Sequence, residues 1–146
     1  MGRLFKSVCG LAVAAALVGA PTSAWASQTW GNRASAICLA WDHKYATTPG
    51  AHPTKKPTNQ SDYYRYFVAV RPLLASELKA LTALPGRTTA GTRALGYAAI
   101  SNREVDAILA AYRAHDSSRF ALALHAWAVD VRASNAFKAA GAKSCG

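Results

Sequence analysis

The chain has 146 residues, with 17 Lys and Arg against 7 Asp and Glu, a formal charge of +10 with the histidines neutral. A charge of this size disfavours cationic partners and favours anionic surfaces such as lipid headgroups, wall polymers or nucleic acid, but it carries no information on fold. No stretch is uniformly apolar over the roughly 20 residues that a membrane-spanning helix needs, which excludes that class.

In chain order, Arg3 and Lys6 precede an apolar run from Val8 to Val18, and small and polar residues then lead to Ala24-Trp25-Ala26. Charged, apolar and small-residue stretches in that order are the pattern of a secretory signal, and they predict a cleaved signal peptide at residues 1–26. Ala24 and Ala26 favour cleavage before Ser27, while Thr22 and Ala24 also permit it before Trp25. Cys9 precedes most of the apolar run, the wrong place for the acylated cysteine of a lipoprotein signal. Residues 27–146 then make a single domain of 120 residues, and a chain of that size buries roughly two thirds of its unfolded surface. It keeps 15 Lys and Arg against 7 acidic residues, a formal +8. The expected location is secreted, or the cell-envelope exterior or periplasm.

Trp30, Ala34, Ile37, Trp41 and Tyr45 recur at three- and four-residue spacing and predict a first helix over about 30–46. Pro49, Pro53 and Pro57, with Lys55 and Lys56, then give a flexible basic loop at 47–60, a composition that cannot propagate a helix. Ser61 is a candidate N-cap for a second helix over 61–84, whose seam includes Tyr63, Phe67, Val70, Leu74, Leu78 and Leu81. Pro72 lies inside it and either bends it or splits it near Val70 and Arg71. Thr88 or Thr89 caps a third helix over 89–115, with a polar residue, Asn102, in its seam. Asp116-Ser117 opens a fourth over 117–140, and Gly141 is placed to end it.

No segment alternates with period two, so the expected class is all-α: an antiparallel four-helix bundle closed by one disulfide. Cys38 on the first helix and Cys145 at the C-terminus are the two cysteines left after cleavage, and an oxidising compartment pairs them. The bridge closes a loop of 108 residues, for which chain entropy gives about 4 to 5 kcal/mol.

Ala36-Ile37-Cys38, the run Leu78-Lys79-Ala80-Leu81 into Leu84-Pro85, and Ala139-Ala140-Gly141 before Cys145 occur in an order that resembles small exported helical proteins of high-GC Gram-positive bacteria. Most of those have no assigned function. The likeness implies export, helices and the disulfide, and no catalytic residue; the Lys- and Pro-containing loop departs from the pattern.

Chemistry-bearing residues are sparse. His43, His52, His115 and His125 form no close pair at metal-ligand spacing, and covalent haem lacks its Cys-x-x-Cys-His. Glu77 lies beside the second seam, where burial would raise its pKa unless it pairs with Arg71 or Arg103. Tyr63, Tyr64, Tyr66 and Phe67 surround Arg65; Tyr63 and Phe67 belong to the seam, Tyr64 and Tyr66 are left as the candidates for exposure, and an aromatic stripe at helical spacing points to core packing before a stacking surface. Asn59-Gln60-Ser61 matches a glycosylation triplet, relevant only to a eukaryotic secretory route.

No nucleophile pairs with a base, so the expected function is a non-enzymatic exported binding module without a cofactor or metal. Its basic surface, with Lys55, Lys56 and Arg65 as contacts, would meet an anionic envelope component or another protein, with no specific nucleic acid. The alternative is a carrier of haem, a metal or a small apolar ligand between helices, with Trp41, His43, His125 and Trp127 around the pocket.

Overall fold

The computed structural model describes residues 29–53 and 55–145; the expected signal peptide at 1–26 lies outside the described residues. Five helices follow one another: α1 Trp30–Thr47, α2 Gln60–Thr82, α3 Thr89–Arg113, α4 Ser117–Val129 and α5 Arg132–Ala139. The described residues contain no strand, and none of these helices is long and apolar enough to cross a membrane.

Local chemistry accounts for the ends of the helices. The Thr29, Thr88 and Asp116 side chains accept the backbone N–H three residues on, from Asn32, Gly91 and Arg119, each satisfying a donor with no partner inside its helix. The cap of α2 is Asn59, not Ser61: Asn59 Oδ1 accepts the Asp62 N–H at 2.9 Å, and Asn59 Nδ2 donates to Asp62 Oδ2 at 2.9 Å. The first is an N-cap bond and the second a side-chain bond that holds the cap in place, and together they start the helix one residue before Ser61. The helix runs unbroken through Pro72, whose ring is exposed.

Helix α3 stops at Arg113 because His115 takes the left-handed conformation, φ 55°. The Asp116 N–H then reaches back to the Ala111 carbonyl and the His115 N–H to that of Tyr112, which closes the helix end. Gly141, φ 81°, does the same for α5, with Ala142 N–H on the Phe137 carbonyl.

The expected fourth helix is two helices. Asp130 turns extended, φ −76° and ψ 105°; its Oδ1 accepts the Arg132 N–H at 2.9 Å and its carboxylate takes the Arg132 side chain at 2.8 Å through Nε and Nη2. A short acidic side chain that captures the backbone two residues on competes with helical bonding, and here it wins between two exposed valines.

The architecture is otherwise the expected all-α bundle. Helix α3 packs against α2, α4 and α5, and α1 against α2, so α4 and α5 together fill the place of the fourth helix. The Cys38–Cys145 disulfide ties α1 to the C-terminus with Cα atoms 5.2 Å apart. Beside it, Gly31 approaches so closely that a Cβ there would stand 2.5 Å from the Ala140 carbonyl oxygen. Gly91 likewise lets the Trp30 ring lie on α3, and Trp30 stacks on Phe137 with ring centroids 6.3 Å apart.

The core is in two parts. One gathers Trp30, Ala34, Cys38, Leu81, Leu95 and Phe137 near the disulfide. The other gathers Phe67, Val105, Ile108, Leu109 and Phe120, with Tyr64 stacked on Tyr112 at 4.2 Å and Trp127 edge-on to Phe67 at 4.9 Å. The interval between the two parts holds the candidate site.

Candidate functional site: a cleft between two cores

Along α3, the faces between the two clusters present Ala98, Ser101 and Asn102, and α5 presents Ala133. Side chains this small do not fill the space that α2 leaves opposite them, and a cleft of about 530 Å³ results. Its apolar walls come from both cores: Leu78, Leu81 and Phe137 on one side, Leu74 and Trp127 on the other. The loop after α1 borders it as well. Gly50, φ 83°, turns the chain so that the Ala51 N–H bonds the Thr48 carbonyl, Ala51 is buried, and Ala51 and His52 line the cleft. The first part of the expected flexible loop is thereby packed against the bundle.

The polar end of the cleft is built by α1 and α2. Tyr45 Oη donates to Glu77 Oε2 at 3.0 Å across the two helices, and Asp42 and Tyr66 line the same cleft. The Glu77 pKa is raised from the usual 4.5 to about 7, chiefly by burial, with the Tyr45 hydrogen bond opposing the rise and repulsion from Asp42 adding a smaller push. Burial also raises the Asp42 carboxyl and the Tyr66 phenol, and burial followed by Glu77 raises the Tyr45 phenol. Asn102 donates from Nδ2 to the Leu74 carbonyl at 3.4 Å; the polar residue in the α3 seam is thus the link between α3 and α2 at the cleft wall. Glu77 does not pair with Arg71, whose guanidinium instead holds Asp106 at 2.5 and 2.8 Å.

Of the four residues expected around a pocket, the structure brings one to the cleft, Trp127. Trp41 donates from Nε1 to Ser76 Oγ at 3.2 Å on the outer face and carries Lys44 Nζ over its ring at 3.4 Å. His43 and His125 are exposed and do not line the cleft. Among the described residues, no three His, Cys, Asp or Glu side chains gather as metal ligands. The sequence places Tyr45 on the apolar face of α1 and leaves Tyr66 outside the α2 seam, and no spacing signals that both border one cleft. Glu77 was legible as a buried carboxylate because it adjoins the seam of α2.

The three basic residues singled out for an anionic partner do come together. Lys55, Lys56 and Arg65 line one surface hollow of about 460 Å³ with Pro53, Pro57 and Tyr66. Arg65 also donates from Nη2 to Asp62 Oδ1 at 2.6 Å, an ion pair that holds the Asp62 carboxyl below its usual range.

Comparison with protein-family models, curated proteins and solved structures finds no match to this chain. The functional reading therefore stands on the cleft and the hollow themselves.

Proposed function

We propose that the protein is an exported, non-enzymatic binding module that holds a small molecule in the cleft between its two cores. The observation that carries this reading is the cleft itself: about 530 Å³, apolar over most of its wall, with a few convergent polar groups at one end. Ligand pockets fall in the range of roughly 300 to 1,000 Å³ and have this composition. Binding is favoured over catalysis because both sulfurs in the wall, Cys38 and Cys145, are bonded to each other and offer no thiolate. The disulfide supports export, since such bonds persist in oxidising compartments; the resemblance to exported helical proteins of high-GC Gram-positive bacteria agrees with it.

The test is native mass spectrometry of protein recovered from a secreting host, with a fragment-library screen read by the Trp127 indole resonance. A bound organic mass, or fragments that shift Trp127 while leaving Trp41 unmoved, supports the reading. A ligand-free protein whose Trp127 resonance no fragment shifts overturns it.

A second reading rests on a separate observation, the meeting of Lys55, Lys56 and Arg65 at one hollow. It makes that face the contact for an anionic envelope component. Binding to anionic vesicles or wall polymers should then weaken steeply with salt, as the Debye length shrinks from about 30 Å at 0.01 M to about 8 Å at 0.15 M.

A further inference from the structure

The cleft differs in sign from the molecule around it. The chain carries 17 Lys and Arg against 7 Asp and Glu, yet no Lys or Arg is among the residues that line the cleft, while Asp42 and Glu77 both are. The Glu77 carboxylate is half-buried, and among the described residues its one hydrogen bond is from Tyr45 to Oε2. A carboxylate withdrawn from water in this way lacks a counter-charge, and a cation seated beside it would restore one. The walls fit the same occupant: Tyr45, Tyr66 and Trp127 present aromatic rings, whose faces attract cations, and the aliphatic remainder suits an apolar body.

Resting on the reading of the cleft as a ligand site, we propose that its ligand is a small organic cation, an amine or quaternary ammonium joined to an apolar or aromatic body. The ammonium group meets Glu77 and Asp42, and the body lies between Leu74, Leu78 and Trp127. The basic exterior does not forbid this. Repulsion from surface lysines and arginines is screened beyond about 8 Å at physiological salt, whereas the short-range field inside an apolar cleft is screened far less.

The cation competes with the proton for Glu77, so binding strengthens as pH rises through neutrality. Tyr45 and Asp42 from α1 act on Glu77 directly, and Tyr66 from α2, His52 from the loop and uncharged Ser101 and Asn102 from α3 line the same cleft. Both carboxylates gain charge as pH rises and act in the same direction. Glu77→Gln isolates the contribution of Glu77.

The experiment titrates the oxidised protein with benzyltrimethylammonium and, separately, with 3-phenylpropanoate, by calorimetry and by the Trp127 indole resonance. Expected is saturable binding of the ammonium probe, stronger at pH 8 than at pH 6, weakened about tenfold or more by Glu77→Gln, and unchanged by Lys79→Gln, an exposed position outside the cleft. The disulfide and helical content of each variant are checked by mass and circular dichroism. If 3-phenylpropanoate shifts Trp127 and the ammonium probe does not, the cleft is a ligand site and the inference of a cation is overturned. Equal binding of the ammonium probe to wild type and to Glu77→Gln also overturns it. If neither probe nor any library fragment shifts Trp127, the cleft reading itself fails.

Discussion

At the scale of single residues, Glu77 ties the cleft to the stability of the fold. Its pKa is raised from 4.5 to about 7, so the folded chain holds the proton more tightly than the unfolded chain. Between those values the folded state binds more protons, and its stability therefore falls as pH rises through the window, with the full cost present above it. The shift sets that cost at about 3 kcal/mol or less. Glu77→Gln is expected to raise the melting temperature at about pH 8 and to flatten its decline from about pH 5. Thermal melts of both proteins across that range check it, and parallel curves would contradict it. A variant that gains stability while losing the ammonium probe cannot owe that loss to misfolding.

Gly31 makes the opposite case, a residue whose lack of a side chain is the point. A Cβ there would stand 2.5 Å from the Ala140 carbonyl oxygen and 2.6 Å from the Gly141 carbonyl carbon, both backbone atoms that cannot rotate away. Gly31→Ala is expected to destabilise the fold by about 2 kcal/mol, the usual scale of overpacking. Urea denaturation would show it as a lower midpoint. The Gly31 effect is not readable from a sequence, where it is one of 10 glycines; Glu77 adjoins the α2 seam, but only the structure shows that Tyr45, and not an arginine, is its hydrogen-bond partner.

At the scale of elements, α1, α2 and α3 were legible because apolar residues recur at three- and four-residue spacing and Thr88, Pro85-Gly86 and Pro49-Gly50 mark their limits. The break between α4 and α5 was not, because the apolar periodicity continues across Asp130. What interrupts the helix is a hydrogen bond from the Arg132 N–H to Asp130 Oδ1, reinforced by the Arg132 side chain on the same carboxylate. Asp130→Ala should remove that side-chain hydrogen bond and cost about 1 kcal/mol. Faster hydrogen exchange at the Arg132 amide, with the α3 core amides unchanged, is the expected signature, whereas uniform acceleration would point to global loosening.

Arg132 also lies 3.8 Å from Glu104 on α3 and packs over the Tyr97 ring at 5.5 Å. The break thus orients α5 against α3, and with it Ala133, which borders the cleft.

At the scale of the whole molecule, the Cys38–Cys145 disulfide is the covalent tie between the first helix and the C-terminal end of the described residues. Cys38 and Cys145 are 107 residues apart in sequence, and a loop of that length is worth about 4 to 5 kcal/mol by chain entropy, less where the reduced chain retains structure. Reduction, or Cys38→Ser with Cys145→Ser, should lower the urea midpoint by an amount on that scale, read by circular dichroism with and without reductant. Because both cysteines line the cleft, the same treatment should weaken any ligand held there. An unchanged midpoint would mean that the Trp30, Phe137 and Ala142 packing alone holds the C-terminus.

The sequence by itself determined the helical class, the pairing of the two cysteines and the cap at Asp116, and narrowed the start of α3 to Thr88 or Thr89, since each depends on local spacing, residue chemistry or simple elimination. It also marked Lys55, Lys56 and Arg65, which are close along the chain and meet at one hollow. Only the tertiary structure decided that the core is divided and that Tyr45, Tyr66, Glu77 and Trp127 border the gap. A cavity is a deficit of volume where several helices meet, and no single helix records how far short its partners fall. Ala98, Ser101 and Ala133 each look ordinary on their own helix. Their smallness becomes a site only when α2, α3 and α5 are assembled around it.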